Sequence, residues 1–190
     1  MKLVLASHNA GKLAELRAIL EPAVPDLELV GYDGPEPIED GTSYLENALI
    51  KARAAAKHTG LPAIADDSGL AVEILGGSPG IFSARWAGGR DNVENRRLLL
   101  KQLGDVNDEH RGAAFVCTIA LVDGDDEISF TGFWSGSIAR EERGTNGHGY
   151  DPVFIPEGFD VTAAELEPAV KNALSHRAEA VGQLITYLNS

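Results

Sequence analysis

Short apolar runs alternate with segments of helical periodicity in the first third of the chain. Lys2–Ala6 has the character of a buried strand, and the apolar residues of Ala10–Leu20 recur every three or four positions, which predicts a helix. Leu27–Val30 predicts a second strand. A further helix is predicted from a cap at Thr42 or Ser43 to about residue 58. Strands that alternate with helices are typical of an α/β fold.

Two acidic residues separate the next pair of apolar segments. Ala63–Ala65 and Leu70–Leu75 predict short strands, and Asp66 and Asp67 lie between them. We therefore expect both carboxylates at the end of a strand.

A β-hairpin pattern follows in the second half of the chain. Ala113–Val122 and Ile128–Ile138 are strand-like runs on either side of the turn residues Asp123–Asp126. Helices are predicted over about Val93–Leu103 and Ser175–Leu188. The hairpin indicates a mixed α/β sheet rather than a regular doubly wound one, and 190 residues with 44% hydrophobic content are typical of one domain.

The charge of the chain narrows the classes of ligand. A formal net charge of −13 and a pI near 4.7 argue against a DNA- or RNA-binding surface, but small anions can still bind where cations are concentrated. No apolar run approaches transmembrane length and the N-terminus lacks a signal-peptide pattern, so we expect a cytoplasmic protein with no membrane contact. The single cysteine, Cys117, lies in an apolar run and is expected to pack as a small hydrophobic residue.

The turn Ser7–Lys12 between the first strand and the first helix is a candidate phosphate site. Backbone N–H groups at a helix N-terminus, the helix dipole and Lys12 could together hold a phosphate. The turn is not a Walker A loop, because Ala6 and Leu13 stand where that motif needs glycine and Ser or Thr. The alternative is an ordinary helix cap with an exposed lysine.

Acidic residues form a candidate metal site. Glu39 and Asp40 precede the second helix, Glu46 lies on it, and Asp66–Asp67 follow a strand. Mg²⁺ takes hard oxygen ligands and needs only one or two carboxylates beside substrate phosphates. Alternatively, these residues solubilise a loop and form a turn, and Lys51, five positions after Glu46, forms a loose surface ion pair with it.

Two further segments carry candidate ligand-binding residues. The glycine-dense stretch Gly144–Pro152 suits close approach of backbone to a ligand, or is a flexible surface loop. Lys171 is followed by Ser175–Arg177, where Ser175 could cap the last helix and present His176 and Arg177 to an anion or a carbonyl oxygen. The alternative for this segment is a helix cap with two solvated side chains.

Together the segments resemble the inosine triphosphate pyrophosphatase family, also called the Ham1-like family, along essentially the whole chain. No single motif is decisive, but their order is highly specific. The motifs that carry the resemblance are Ser7–Lys12, Glu46–Ala48 with Lys51, Ala65–Leu70, Pro79–Arg85, Gly149–Phe154 and Ser175–Arg177.

The resemblance implies a fold and an activity. The fold is a two-lobed α/β domain over residues 1–190, built on a long mixed β-sheet with flanking helices and a nucleotide cleft between the lobes. The activity is Mg²⁺-dependent hydrolysis of the triphosphates of inosine, deoxyinosine and xanthosine to the monophosphate and pyrophosphate, which removes these non-standard purine nucleotides from the pool. The resemblance also implies a homodimer.

The resemblance further implies roles for the matching residues. Asp67 would be the catalytic base and, with Glu39, a metal ligand. The phosphates of the substrate would contact Ser7, His8, Asn9, Ala10, Gly11, Lys12, Lys51 and Ser68. The base and sugar would be framed by His148, Gly149, Tyr150, Asp151, Lys171, His176 and Arg177. Many members carry Phe where this chain has His148, and an imidazole offers less area for stacking on a purine.

Other functions remain open at this point. The chain could be a pyrophosphatase for pyrimidine or modified nucleoside triphosphates, or a nucleotide-binding regulator without turnover. A Cys or Ser hydrolase is disfavoured, because Cys117 lies in a predicted strand and the adjacency of Ser175 and His176 does not indicate a nucleophile and its base.

Overall fold

Six strands form one mixed sheet in a computed structural model that describes residues 1–190. The strand order is β2-β1-β3-β4-β5-β6; β1 is parallel to β2 and β3, and β5 is antiparallel to β6. The strands are β1 (Lys2–Leu5), β2 (Glu28–Gly31), β3 (Ala63–Val72), β4 (Gly112–Asp123), β5 (Asp126–Ile138) and β6 (Phe154–Pro156). The predicted mixed α/β sheet and the late hairpin are confirmed.

Five α-helices accompany the sheet. They are α1 (Ala10–Ala23), α2 (Tyr44–Thr59), α3 (Asn92–Gln102), α4 (Pro168–Leu174) and α5 (His176–Leu188). Ser43 caps α2 by accepting a hydrogen bond from the Glu46 N–H, and Gly60 ends it in the left-handed conformation. The Ser175 hydroxyl accepts from the Ala178 N–H at 3.2 Å, which confirms its predicted role as a cap. No helix combines the length and apolar character needed to cross a bilayer.

The prediction of a strand end at the acidic pair was wrong. β3 runs without a break from Ala63 to Val72, through Asp66 and Asp67, and residues 73–75 form a short 3₁₀ turn instead of continuing a strand. The strand accommodates the two carboxylates because each has a polar partner: the Lys12 ammonium pairs with Asp66, and the Asn47 amide donates to Asp67.

The chain divides into two compact units. The first unit comprises residues 1–67, 117–131 and 179–190, and the second comprises residues 68–116 and 132–178. In the first unit, successive strand residues point to opposite faces. Ile64 packs in a cluster with residues of α1 and α5, whereas Ala65 packs with Ala48 and Ala52 of α2. The first unit therefore has helices on both faces of its strands.

The second unit has its own apolar cluster. Leu70 and Val72 of β3 pack there with Leu99 and Leu103 from the α3 region and with aromatic residues of the hairpin and β6. Arg111 is 2% exposed and its guanidinium donates to three backbone carbonyls, those of Leu103, Ile138 and Ala139, at 2.6 to 2.8 Å. Arg111 thereby ties the end of α3 to the end of β5.

Candidate active site

The turn between β1 and α1 is a capped helix start that leaves residues 8–11 exposed. The Asn9 carboxamide oxygen accepts from the Lys12 N–H at 3.0 Å, and the Ser7 hydroxyl accepts from the Asn9 N–H at 3.2 Å. These hydrogen bonds fix the turn. The N-terminus of α1, which is the positive end of the helix dipole, therefore lies at the exposed surface of this turn. The predicted strand-to-helix turn is confirmed.

The ring of His8 anchors this turn to the segment after β2. Its Nε2 lies 2.8 Å from the Gly34 carbonyl, within hydrogen-bonding distance. Its Nδ1 lies 3.3 Å from the Glu36 carboxylate, and the ring stacks on Tyr32. Both ring nitrogens of His8 are thus directed at residues of the first unit.

Lys12 is not the exposed lysine of the alternative interpretation. Its ammonium pairs with the Asp66 carboxylate, and the two side chains are 21% and 8% exposed. Because Asp66 follows Ala65 in β3 and residues alternate in a strand, Asp66 lies on the α1 side of the sheet. The ion pair offsets the burial of the carboxylate and holds the lysine at the N-terminal end of α1.

Asp67 lies on the opposite side of β3, towards α2. The Asn47 Nδ2 donates to Asp67 Oδ2 at 3.2 Å, and the Asn47 Oδ1 accepts from the Gly41 N–H at 2.9 Å. Asn47 is 3% exposed. Since Gly41 N–H can only donate and a carboxylate can only accept, both partners demand the same amide orientation. Asn47 therefore connects the loop before α2 to Asp67.

Lys51 pairs with Glu39 and not with Glu46. The Lys51 Nζ lies 3.5 Å from the Glu39 carboxylate. Glu46 instead accepts from the backbone N–H and the hydroxyl of Thr42, and these hydrogen bonds lower the pKa of Glu46. The suggested Glu46–Lys51 pair is therefore wrong, because a capping interaction one turn earlier takes the carboxylate.

The acidic residues fit a cation that needs few protein ligands. No group of three or more His, Cys, Asp or Glu side chains is arranged to hold a metal ion. Asp66 and Asp67 point to opposite faces of β3, so the adjacent pair cannot form one chelating site. Asp67 and Glu39 are hard oxygen donors of the kind that Mg²⁺ takes one or two of, with water and phosphate oxygens as the others.

In the second unit, Asp151 organises the glycine-rich loop. It is 4% exposed, pairs with the Lys171 ammonium, and accepts from the His148 N–H at 2.9 Å. Gly147 has a φ of +74°, and a Cβ there would lie 2.0 Å from the Asp151 carboxylate, so only glycine fits. The loop is anchored at these points, and the His148 side chain is exposed.

Tyr150 faces the interior of the second unit. It is 5% exposed, and its hydroxyl donates to the Ser83 carbonyl at 2.8 Å. Burial raises the pKa of Tyr150 above its usual value, so the side chain stays a neutral phenol. Arg96 holds the same loop from α3 by donating to the Gly149 carbonyl at 2.8 Å. Arg96 is a loop anchor that the sequence pattern alone did not identify.

His176 and Arg177, at the start of α5, are half-buried rather than solvated. The His176 ring stacks on Phe115 with centroids 5.0 Å apart and an interplanar angle of 14°. Lys171 lies on α4, a helix of seven residues that was not predicted from the sequence. Ser68, the first residue of the second unit, is half-buried in β3 directly after Asp67.

Known proteins resemble this chain in sequence over nearly its full length. The model of the Ham1 family matches residues 3–187. A dITP/XTP pyrophosphatase of Leifsonia xyli subsp. xyli is 56% identical over 192 residues, covering 100% of this chain and 96% of its own length. One of Pseudomonas aeruginosa is 53% identical, with 96% and 94% covered.

Solved structures of Ham1 proteins have the same fold as this chain. A HAM1 protein from Coxiella burnetii superposes with a TM-score of 0.93 at 44% identity, covering 99% of this chain and 98% of that one. The Ham1 protein of Staphylococcus aureus gives a TM-score of 0.89 at 38% identity, with 99% and 98% covered. With sequence and fold matched over nearly the full length, the chain belongs to the Ham1 family.

Proposed function

We propose that this protein hydrolyses the triphosphates of inosine, deoxyinosine and xanthosine to the nucleoside monophosphate and pyrophosphate. The main support for the proposal is the hydrogen bond from the buried Asn47 amide to the Asp67 carboxylate. Asp67 lies in the same unit as the Ser7–Lys12 turn. The names of the relatives, dITP/XTP pyrophosphatase, support the choice of substrate. Removal of these nucleotides from the pool is the biological role that follows.

The chemistry is attack of water on the α-phosphorus. The bond from water oxygen to phosphorus forms, the bond to the bridging oxygen breaks, and its electron pair leaves with pyrophosphate. Asp67 accepts the proton that the attacking water loses. Lys12, at the N-terminal end of α1, and Lys51, on α2, steady the triphosphate by donating hydrogen bonds to phosphate oxygens. Ser7, Asn9 and the N–H groups of Ala10 and Gly11 provide further hydrogen bonds, as does Ser68.

We propose Mg²⁺ as the cofactor, held by Asp67 and Glu39 with phosphate oxygens. When bound, it supplies charge neutralisation for the triphosphate and the leaving pyrophosphate. The choice of Glu39 is supported by its ion pair with Lys51 at 3.5 Å, because Asn47 of the same helix donates to Asp67. The donor set is all oxygen, which suits Mg²⁺ better than a soft metal.

We assign selection of the purine base to the second unit, which includes the first residues of α5. Inosine and xanthosine carry a keto oxygen at C6, and the Arg177 guanidinium is a pure donor that suits it. Adenine carries a donor there, which would leave donors unpaired and lower turnover by roughly ten- to hundredfold. His176, Lys171 and the loop of Gly149 and Asp151 frame base and sugar, and the exposed His148 supplies a ring for stacking on the purine.

We also propose that residues 1–190 act as a single pyrophosphatase domain in a cytoplasmic homodimer. The single domain is supported by the family model, which spans both units. The dimer rests on the resemblance to the family, and sedimentation equilibrium tests it.

The proposed function is tested by measuring pyrophosphate release from inosine, xanthosine, guanosine, adenosine and thymidine triphosphates with and without Mg²⁺. We expect Mg²⁺-dependent release confined to the first two, and its near-complete loss in Asp67→Asn with nucleotide binding retained. Asp125→Asn is the matched control, because Asp125 is exposed in the hairpin turn. Release from thymidine triphosphate would indicate a pyrimidine substrate. Binding without any release would indicate a regulator.

A further inference from the structure

Tyr44 lies beside the side chain that holds Asp67. It is the first residue of α2 and precedes Asn47 by three positions, so the two share one face of the helix. Asn47 donates to Asp67 from that face at 3.2 Å. Tyr44 and Asn47 therefore project from one face of α2, and from that face Asn47 contacts Asp67 of β3.

The hydroxyl of Tyr44 is buried and has no protein hydrogen-bond partner. Other tyrosines of the chain differ: the Tyr32 hydroxyl donates to the Pro35 carbonyl and the Tyr150 hydroxyl to the Ser83 carbonyl, both at 2.8 Å, and Tyr187 is 43% exposed. A buried polar group without a partner destabilises the folded state and is rare in native proteins. A phenylalanine would avoid this penalty, so the hydroxyl at position 44 calls for an explanation.

The surroundings of Tyr44 point to its acceptor. Burial and, secondarily, the negative charge of Asp67 raise the pKa of Tyr44 to about 12. The hydroxyl is therefore a protonated donor at neutral pH, and Asp67 is close enough for its charge to act on it. The Asn47 amide donates to one of the two carboxylate oxygens of Asp67, Oδ2, at 3.2 Å.

We propose that Tyr44 is a positioning residue whose hydroxyl donates a hydrogen bond to the Asp67 carboxylate once cation and nucleoside triphosphate are bound. The proposal rests on the proposed function and deepens it. Asn47 holds one oxygen of Asp67, and Tyr44 supplies a second donor from the same helix face, so the carboxylate is fixed in one orientation for the attacking water. We expect the hydrogen bond to form when the cation and the triphosphate bring Asp67 into that orientation.

A direct test uses protein labelled with ¹³C at the ζ carbon of tyrosine. The resonance of Tyr44 is assigned as the one missing in Tyr44→Phe, and spectra are recorded before and after addition of Mg²⁺ with a non-hydrolysable inosine triphosphate analogue. We expect the Tyr44 resonance to shift on addition in the wild type and to shift much less in Asp67→Asn, where a neutral amide oxygen, a weaker acceptor, replaces the carboxylate. An unchanged Tyr44 resonance at saturating ligand would overturn the proposal.

Kinetics separate positioning from a structural role. In Tyr44→Phe we expect kcat to fall about ten- to hundredfold with KM within about twofold, because a misoriented base slows the reaction without weakening binding. The thermal midpoint is expected to stay or rise, since an unpaired buried hydroxyl is removed. Tyr32→Phe, which deletes a satisfied hydroxyl, should instead lower the midpoint.

A fall in both kcat and stability of Tyr44→Phe, or an unchanged kcat, would overturn the proposal. Failure of the proposed function is recognised separately: the wild type would release no pyrophosphate from any nucleotide, while the tyrosine resonance would still decide whether Tyr44 gains its hydrogen bond.

Discussion

Replacement of Asn47 by aspartate tests how strongly the buried amide controls Asp67. Asn47→Asp keeps the size of the side chain and the oxygen that accepts from the Gly41 N–H at 2.9 Å. It replaces the donor that faces Asp67 by a carboxylate oxygen. Two carboxylates would then face each other where a hydrogen bond of 3.2 Å is now found.

The magnitude follows from this distance. Two unit charges 3.2 Å apart repel by about 5 kcal/mol at an effective dielectric constant of about 20. Asp67 is half-buried, so water screens part of this repulsion, and the pair escapes the rest by binding one proton. We expect Asn47→Asp to lose about 2–4 kcal/mol of unfolding free energy at pH 8. The loss should be much smaller at pH 4, because there the unfolded chain also carries about one proton on the two carboxyl groups, so folding need not take up a proton. Its kcat should fall at least about hundredfold, because a proton shared by the pair disables the base.

Asn47→Leu is the matched variant, since it deletes both hydrogen bonds without adding charge. It leaves the Gly41 N–H without its acceptor, so we expect a loss of about 1–3 kcal/mol that varies between pH 4 and pH 8 much less than the loss in Asn47→Asp. The assays are urea denaturation at both pH values and pyrophosphate release from inosine triphosphate. Equal pH dependence in the two variants, or wild-type turnover in Asn47→Asp, would refute the contact between Asn47 and Asp67.

Three further perturbations test the second unit. Tyr150→Phe deletes the hydrogen bond to the Ser83 carbonyl and should lower unfolding free energy by about 1 kcal/mol at pH 8. Burial raises the pKa of Tyr150, so the wild type loses stability as the pH rises above about 10, the pKa of a tyrosine in the unfolded chain. The stability difference between the wild type and Tyr150→Phe should therefore shrink by about pH 11.5. A difference in denaturation midpoint that stays constant with pH would contradict this. Arg111→Lys cannot reach three carbonyls at once and should lower stability by about 2–4 kcal/mol in urea denaturation, so an unchanged midpoint would show that the carbonyls need no guanidinium. Gly147→Ala places a Cβ 2.0 Å from the Asp151 carboxylate at a positive φ, so it should lower the thermal midpoint and raise KM for inosine triphosphate at least about tenfold. A normal KM would mean that the loop does not contact substrate.

Local signals in the sequence were sufficient for several elements of the fold. The cap at Ser43 and the stop at Gly60 bound α2 at Tyr44–Thr59, close to the predicted range, because caps and left-handed glycines act through neighbouring residues. The hairpin of β4 and β5 also follows from a local pattern, two apolar runs around Gly124. Cys117 is buried in an apolar cluster, as its surroundings in the sequence predict.

Features that depend on distant partners could not be predicted in this way. Asp66 and Asp67 look like a break in β3, since an aspartate in a strand is unfavourable unless something pairs with it. The partners, Lys12 and Asn47, come from elements that are distant in the sequence. Arg111 looks like a surface residue beside a turn, and only the fold brings the carbonyls that enclose it.

The arrangement around β3 also explains why a cation suits this site. Lys12 is paired with Asp66 and Lys51 with Glu39, so neither lysine adds net positive charge for a triphosphate. Asp67 adds a negative charge, and the chain as a whole carries −13. A polyanionic substrate would thus meet a repulsive field unless a divalent cation binds with it, because the lysines alone are balanced by their carboxylates. We expect the same pairing to keep the two lysines in place when the phosphates are absent, and the affinity for phosphate to depend on the cation.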